Sequence, residues 1–176
     1  MKEELKKYIR SIKDFPKQGI MFRDITTLLK DPAALKLTTG LLFEMTKNLG
    51  ITKVAAIESR GFIFGALLAE KLNAGFVPLR KPGKLPSQKI SESYQLEYGN
   101  DSIEMHVDAI NENDKVLIHD DLLATGGTAA AACSLVEKAG GKIMQVSFVI
   151  ELSFLNGRKK LGKYDVVSLI DYADEN

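Results

Sequence analysis

The sequence is short of several features, and each absence narrows what the chain can be. It has 1 cysteine, Cys133, so no intramolecular disulfide can form, which favours a reducing, cytoplasmic setting. Its 24 basic and 23 acidic residues leave a formal net charge of +1. No apolar run is long enough to cross a bilayer, and MKEELKKYIRSIKDFP lacks the apolar core of a signal peptide. We therefore expect no nucleic acid and no membrane as partners, and any anion must be bound by local groups.

What is present is an alternation of apolar strands and helices. Strands are predicted at residues 53–57, 75–79, 115–119, 142–151 and 165–170, with a hairpin at 94–98 and 102–107. Helices are predicted at 32–48 (after Asp31 as N-cap), 61–72, 128–139 and 153–160, with an amphipathic helix through Leu5, Tyr8, Ile9 and Ile12 and a loop at 81–93. Apolar central strands are typical of a parallel sheet covered on both faces. The pattern predicts a single α/β domain, residues 1–176.

One strand–loop–helix unit, KVLIHDDLLATGGTAAAACSLVEKAGG, has the composition of an anion site. Ligands of open parallel sheets bind beyond the carboxyl ends of the strands, where this loop lies. Its glycines allow backbone N–H groups to point inward, and the first turn of the helix adds unpaired N–H groups and a positive dipole end. The expected guest is a phosphate monoester. The predicted cradle consists of Ala124, Thr125, Gly126, Gly127 and Thr128.

Asp120 and Asp121 directly precede this loop and would repel a phosphate. A carboxylate is a hydrogen-bond acceptor that pairs naturally with a vicinal diol, at roughly 1.5–3 kcal/mol for each charged hydrogen bond. Acids beside a phosphate loop therefore predict a ribose 5-phosphate. The lysine of a GxxxxGK[ST] loop is missing, and so is a G-x-G-x-x-G fingerprint followed by an acid. The simpler alternative is that the acids end a strand and the glycines start a helix.

A second loop, ESRG at residues 58–61, also follows an apolar strand and opens a helix. Its helix-terminal N–H groups and Arg60 suit a second anion. A surface arginine and a helix-capping Glu58 are the alternative. Lys81 follows the strand GFVPL at the same edge of the sheet and is a candidate for neutralising a diphosphate, whereas a solvated basic stretch is the usual alternative.

IHDDLLATGGT resembles the phosphoribosyl-diphosphate signature of the type I phosphoribosyltransferases. FPKQGIMFRDIT, ESRGFIFG, RKPGKLP and SYQLEYG, spread over nearly the whole chain, narrow the resemblance to the adenine-specific members of that family. The resemblance implies a type I phosphoribosyltransferase fold: a mostly parallel central sheet flanked by helices, a flexible hairpin lid and a small N-terminal hood. The sequence departs from the family at His119, which we interpret as a structural variation because alternate strand residues face opposite sides, placing it away from Asp120.

The same resemblance implies the reaction and the roles of individual residues. The substrates would be adenine and 5-phospho-α-D-ribose 1-diphosphate (PRPP), and the products AMP and diphosphate. Mg²⁺ would be the cofactor, held mainly by substrate and water, and the chain would form a homodimer. The Glu58–Ser59 peptide would be cis. The implied site residues are Glu97 and Arg60 for catalysis, Glu58, Ser59, Arg60 and Lys81 for diphosphate, Met21, Phe22 and Arg23 for adenine, and Tyr98 for closing the lid.

Several alternatives stay open at this point. A 6-oxopurine such as xanthine or hypoxanthine is the alternative base, since the base pocket has the weakest sequence signal. A nucleotide-sensing regulator on the same fold is the non-enzymatic alternative, although the chain has no spare residues for a DNA-binding module. An exposed hairpin glutamate at position 97 and a core phenylalanine at position 22 are the simpler roles for those residues. The Pro- and Gly-containing loop beside the site favours a lid.

Overall fold

A computed structural model describes residues 2–95 and 99–175, with only the backbone of Lys2 and Glu3. The strands are β1 Arg10–Lys13, β2 Met21–Asp24, β3 Lys53–Ile57, β4 Gly75–Leu79, β5 Lys89–Gln95, β6 Asn100–His106, β7 Lys115–Leu123, β8 Lys142–Leu152 and β9 Val166–Tyr172. The helices are α1 Lys2–Leu5, α2 Thr26–Leu29, α3 Pro32–Thr46, α4 Gly61–Lys71 and α5 Gly127–Lys138. Short 3₁₀ turns occupy Lys6–Tyr8, Ser153–Leu155 and Gly157–Leu161.

The central sheet has the order β4-β3-β7-β8-β9, and every neighbouring pair is parallel. The chain therefore winds outward from β3 in one direction to β4 and in the other direction through β7, β8 and β9. The order reverses between β3 and β7, and such a switch point opens a crevice at the carboxyl ends of the two strands. The α/β fold with a mostly parallel central sheet, predicted from the sequence, is confirmed.

An apolar layer packs against each face of the sheet, because successive side chains of a strand point to opposite faces. Val116 and Ile118 of β7 join the layer that packs against α5, whereas Leu117 joins the layer beneath α4. All three side chains are fully buried. The antiparallel hairpin of β5 and β6 packs over α5. The sheet is thus covered on both faces, and the crevice is left at its edge.

The N-terminal prediction was wrong beyond Tyr8. The chain is helical only to that residue and then forms β1, which pairs antiparallel with β2 so that Ile12 lies opposite Phe22. The helical spacing of apolar residues was too short to distinguish a helix from a turn followed by a strand. Arg10 and Asp24 join the two strands by an ion pair. This two-stranded unit is the small hood expected over the site.

Other boundaries moved in ways that matter for the site. β7 continues to Leu123, so Asp120 and Asp121 lie within the strand instead of following it, because β8 pairs with β7 as far as Glu151. β5 begins at Lys89, so the polar loop ends at residue 88 and not at 93. The predicted N-cap is confirmed: Asp31 Oδ1 accepts hydrogen bonds from the backbone N–H groups of Ala33 and Ala34 at 2.9 Å.

The cis peptide expected between Glu58 and Ser59 is present. Across residues 2–95 and 99–175, no helix combines the length and apolar character that crossing a lipid bilayer requires.

Candidate active site

Three adjoining cavities open at the switch point, and Leu122 lines all of them. The first has a volume of about 300 Å³ and lies under the hood. The second, of about 80 Å³, is enclosed by the glycine loop and the start of α5. The third, of about 350 Å³, lies between the ends of β3 and β7. The cavities differ in chemistry, and each contains one group of the residues predicted from the sequence.

The smallest cavity is the predicted phosphate cradle. Ala124, Thr125, Gly126, Gly127 and Thr128 all line it. Gly126 has a φ of +78°, a left-handed conformation that glycine adopts without strain, and it directs the chain into α5. The first backbone N–H groups of a helix have no intrahelical acceptor, so those of α5 are available to an anion here. The structure thus brings the cradle residues together as predicted.

Asp121 and Arg60 join the two sides of the crevice. The Nε of Arg60 lies 3.0 Å from Oδ2 of Asp121, whose side chain is buried. The arginine N–H group does not point at this oxygen, so Oδ2 has a charged neighbour but no hydrogen bond among the described residues. Oδ1 of Asp120 accepts from the backbone N–H of Asp121 at 2.8 Å. Acceptor capacity therefore remains at this position, as binding of a diol requires.

Both acids have a raised pKa, and burial is the main cause for each. Burial raises the pKa of Asp120 well above its usual value, and the neighbouring charge of Asp121 adds to this effect. Burial also raises the pKa of Asp121, while the Arg60 guanidinium acts in the opposite direction. Two adjacent carboxylates in a cleft are costly to keep ionised, so the site favours a ligand that donates hydrogen bonds to them.

We expect Asp120→Asn to stabilise the fold at pH 7, because burial raises the pKa of Asp120 and makes its ionisation in the folded chain costly. Between 3.8 and the raised pKa, the folded chain holds a proton that the unfolded chain has lost, so stability falls as pH rises through this window. Asparagine cannot ionise and removes that fall. Urea unfolding from pH 4 to pH 7 measures the effect. Parallel pH profiles for the variant and the wild type would contradict it.

The third cavity is the predicted diphosphate site, lined by Ser59, Arg60 and Lys81 together with Glu58. The carboxylate of Glu58 accepts from the Nε of Arg80 at 3.0 Å and from the backbone N–H of Lys81. Burial opposes ionisation of Glu58, but these hydrogen bonds outweigh it and lower the pKa. The side chain of Glu58 thus holds the chain after β4 against the ESRG loop, while the loop faces the cavity.

Lys81 connects this cavity to the hairpin. Its Nζ contacts the carboxylate of Asp101 and lies 2.7 Å from the hydroxyl of Tyr94. Burial lowers the pKa of Lys81, but these two hydrogen bonds outweigh it, so the net shift is upward and the side chain is a cation. Sequence reasoning missed Tyr94 and Asp101, although both belong to the hairpin predicted to be a lid. Only a structure shows that they face Lys81.

The cavity under the hood is mostly apolar and suits a planar base. Met21, Phe22 and Arg23 line it, as predicted. Phe22 is partly exposed and not a core residue, and its ring packs edge-to-face against Phe15 at 5.1 Å. Arg60 lies 5.0 Å from the Phe22 ring. The Arg23 side chain is buried over Tyr172, so its backbone is the part available to a base.

The far wall of the base cavity was not predicted. Leu152, Phe154 and Leu155 form it, at the end of β8 and in the turn that follows. The rule that ligands lie beyond the carboxyl ends of parallel strands applies to β8 as well as to β7, and it would have indicated this turn. Glu97 and Tyr98 lie outside the described residues, so their roles stay predictions.

The residues of the third cavity are suited to Mg²⁺ that is bound together with a substrate diphosphate. Asp120 and Asp121 are hard oxygen donors beside the predicted diphosphate site, and Mg²⁺ commonly takes one or two carboxylates with substrate phosphates and water. Within the described part of the chain, no group of three or more His, Cys, Asp or Glu side chains is placed to hold a metal ion.

His119 is a buried structural residue. Its Nδ1 lies 2.8 Å from the hydroxyl oxygen of Ser147, and its ring contacts Phe64 of α4. Burial lowers its pKa to about 3, so the imidazole is neutral.

The sequence matches a known class over most of its length. Residues 24–173 match the model of the phosphoribosyl transferase domain. This range contains the ESRG loop, both acids and the glycine loop. The chain therefore belongs to the phosphoribosyl transferase family, as the sequence motifs predicted.

Within this class, the chain is similar to adenine phosphoribosyltransferases. One from Christiangramia forsetii is 58% identical over 170 residues, covering 97% of this chain and 99% of the relative. The crystal structure of one from Thermoanaerobacter pseudethanolicus superposes with a TM-score of 0.95 at 52% identity, covering 98% and 100% of the two chains. One from Saccharomyces cerevisiae, complexed with an imino-altritol 1,6-bisphosphate and adenine, has a TM-score of 0.89 at 39% identity, covering 96% and 97%.

Proposed function

We propose that this chain transfers the 5-phosphoribosyl group of PRPP to adenine, giving AMP and diphosphate. The observation that carries the proposal is the meeting of an apolar cavity, a phosphate cradle and a cation-containing cavity at Leu122. These three cavities suit, respectively, the base, the 5-phosphate and the diphosphate that the two substrates carry. The relative from Saccharomyces cerevisiae was complexed with adenine and a bisphosphate, which supports the assignment.

The geometry suggests how each group contributes to the reaction. The cradle holds the 5-phosphate, the acids Asp120 and Asp121 accept from the ribose hydroxyls, and Phe22 stacks on adenine. Arg60 faces the diphosphate, where its charge stabilises the leaving group. The base nitrogen attacks C1 as the bond from C1 to the diphosphate oxygen breaks, with inversion. The proton leaving that nitrogen passes to Glu97, which returns it to the base in the reverse reaction.

The proposed diphosphate site would be completed by Mg²⁺, which would supply positive charge to neutralise the phosphate oxygens of the leaving group. Asp120 and Asp121 would hold it indirectly or directly beside the substrate. The hairpin would exclude water, which otherwise hydrolyses the activated sugar.

Glu97→Gln is expected to reduce kcat about 10²-fold in both directions, at the low end of the range for loss of a general acid–base group. Glutamine keeps the size and can still hydrogen-bond to the base, but it cannot take a proton. The KM for PRPP should change less than threefold. Steady-state kinetics of AMP synthesis measure both constants, and full activity of the variant would remove Glu97 from the proton transfer.

The proposed function is tested by incubating the chain with PRPP and Mg²⁺ and with each purine in turn. Turnover with adenine and little or none with hypoxanthine, xanthine or guanine is the expected result. Preferred turnover of a 6-oxopurine would reassign the base cavity. Binding of PRPP without turnover of any base would refute the enzymatic proposal in favour of a nucleotide sensor.

We further infer from the family resemblance that the chain acts as a cytoplasmic homodimer. Ile63 and Phe76, on α4 and on the edge strand β4, are large apolar side chains left exposed in the single chain, which supports a partner surface. Sedimentation equilibrium at micromolar concentration should give twice the chain mass of 19.4 kDa. A mass of one chain would contradict the inference.

A further inference from the structure

The phosphate cradle is in contact with the 3₁₀ turn Gly157–Leu161, which lies outside the strand–loop–helix unit that forms the cradle. A Cβ atom on Gly157 would lie 2.2 Å from the carbonyl oxygen of Ala124, and one on Gly126 would lie 2.4 Å from the carbonyl oxygen of Gly157. Neither distance is possible for a real side chain. The two backbones are therefore in direct contact at two points, and the position of the turn sets the position of the cradle.

The charged residue Arg158 attaches the turn to the central sheet. Its Nε and Nη2 donate to the two carboxylate oxygens of Glu151 at 2.6 and 2.7 Å, a bidentate geometry. Its Nη1 donates to the carbonyl oxygen of Val166 at 2.6 Å. The hydroxyl of Ser168 completes the network by donating to Glu151 at 2.7 Å. Arg158 thus connects the turn to β8 and to β9 at once.

The strength of this attachment follows from burial and charge. Glu151 is 4% exposed and lies near the end of β8. Hydrogen bonds to Glu151 outweigh the effect of burial and raise the pKa of Arg158. The Arg158 side chain is 46% exposed, but its removal would leave the buried Glu151 carboxylate without its cation, so the pair resists displacement. On the other side of the turn, Leu161 is fully buried in the layer beneath α5.

We infer that Glu151 and Arg158 are positioning residues for the 5-phosphate. Neither residue lines any of the three cavities, so each acts through Gly157 and the cradle backbone. The inference rests on the proposed function, because it requires the cradle to bind a phosphate. A shift of a few tenths of an ångström in the turn changes the direction of the loop N–H groups, and the affinity for a phosphate ester depends on that direction.

Glu151→Gln and Arg158→Lys test the inference in the intact chain. Glutamine presents an N–H₂ group to the arginine donors, and lysine cannot reproduce the planar fork. The readout is the dissociation constant of adenosine divided by that of AMP, measured by titration calorimetry or NMR, because this ratio isolates the phosphate contribution. In both variants the ratio should fall about 10-fold, whereas the dissociation constant of adenosine should change less than twofold.

Asp114→Asn is the matched control. Asp114 is also a buried carboxylate, and its two oxygens accept from Thr52 Oγ1 at 2.8 Å and from the Asn111 N–H at 3.0 Å. It precedes β7 at the opposite edge of the sheet, so this variant should lose stability without changing the ratio.

The outcomes separate this inference from the proposed function. A wild-type chain that binds AMP no more tightly than adenosine would refute the phosphate cradle itself. A wild-type preference for AMP that both variants retain would overturn the positioning role alone. Equal weakening of adenosine and AMP would mean that the variants disturb the site generally, which also counts against the inference. Should one variant fail to fold, the other decides the question by the same ratio.

Discussion

Gly127→Val is expected to lower the affinity for AMP about 10³-fold. A Cβ on Gly127 would lie 3.4 Å from Tyr94 Cδ2 and 3.5 Å from the carbonyl oxygen of Gln95, so the two methyl groups of valine would extend into the cradle or displace the hairpin. Either result removes backbone hydrogen bonds to the phosphate. Charged hydrogen bonds contribute roughly 1.5–3 kcal/mol each, and loss of two of them gives an effect of this size.

Titration calorimetry with AMP measures this change, and Gly40→Val provides the comparison. Gly40 is also a helical glycine, in α3, but no heavy atom lies within 4 Å of the position of its Cβ. That variant should bind AMP like the wild type. If Gly127→Val keeps wild-type affinity, the phosphate is bound elsewhere and the assignment of the glycine loop is wrong.

Arg60→Gln is expected to reduce kcat/KM for AMP synthesis about 10³-fold. Arg60 lines the proposed diphosphate cavity, lies 3.0 Å from Asp121 and contacts the ring of Phe22. Its removal takes away a positive charge from the leaving group, an effect of roughly 10²–10³ for one stabilising donor. It also leaves the buried Asp121 without its cation, which weakens the alignment of the sugar. Because the two losses add, we expect an effect at the upper end of this range.

Steady-state kinetics with PRPP and adenine test this prediction, and Lys47→Gln is the charge-matched control. Lys47 pairs with Glu44 on the surface at the end of α3, and both side chains are exposed. Exposed pairs contribute little, so the control should retain full activity and stability. A fully active Arg60→Gln enzyme would show that the cation at the diphosphate site is another residue.

The geometry of the proposed phosphate cradle was predictable because its parts are contiguous. Asp120 through Thr128 form one strand–loop–helix unit, and local geometry alone brings the acids, the glycines and the helix terminus together. The parallel sheet was predictable for a similar reason, since its apolar strands are separated by helices of ordinary length. In both cases the residues that form each structural element are close together in the sequence, so the sequence pattern is enough to predict it.

The rest of the site depends on contacts between distant segments. Arg60 meets Asp121 only because β3 and β7 are neighbours in the sheet, and Gly157 meets the cradle only because the chain returns after β8. Strand β1 was mistaken for helix because the N-terminal helix is too short for its spacing to be decisive, and β1 is specified by its partner β2. Such pairings carry no local sequence signal.

The reversal of strand order between β3 and β7 lets the molecule keep a closely packed core and still have an open crevice for a ligand. The chain leaves these neighbouring strands towards opposite flanks, so the space between their ends arises from the path of the backbone and not from a defect in packing. The sequences of the ligand-facing loops can therefore change during evolution without changes in the two apolar layers. The stability of the fold thus depends on the two apolar layers, whereas its ligand specificity depends on the loops at the ends of the strands.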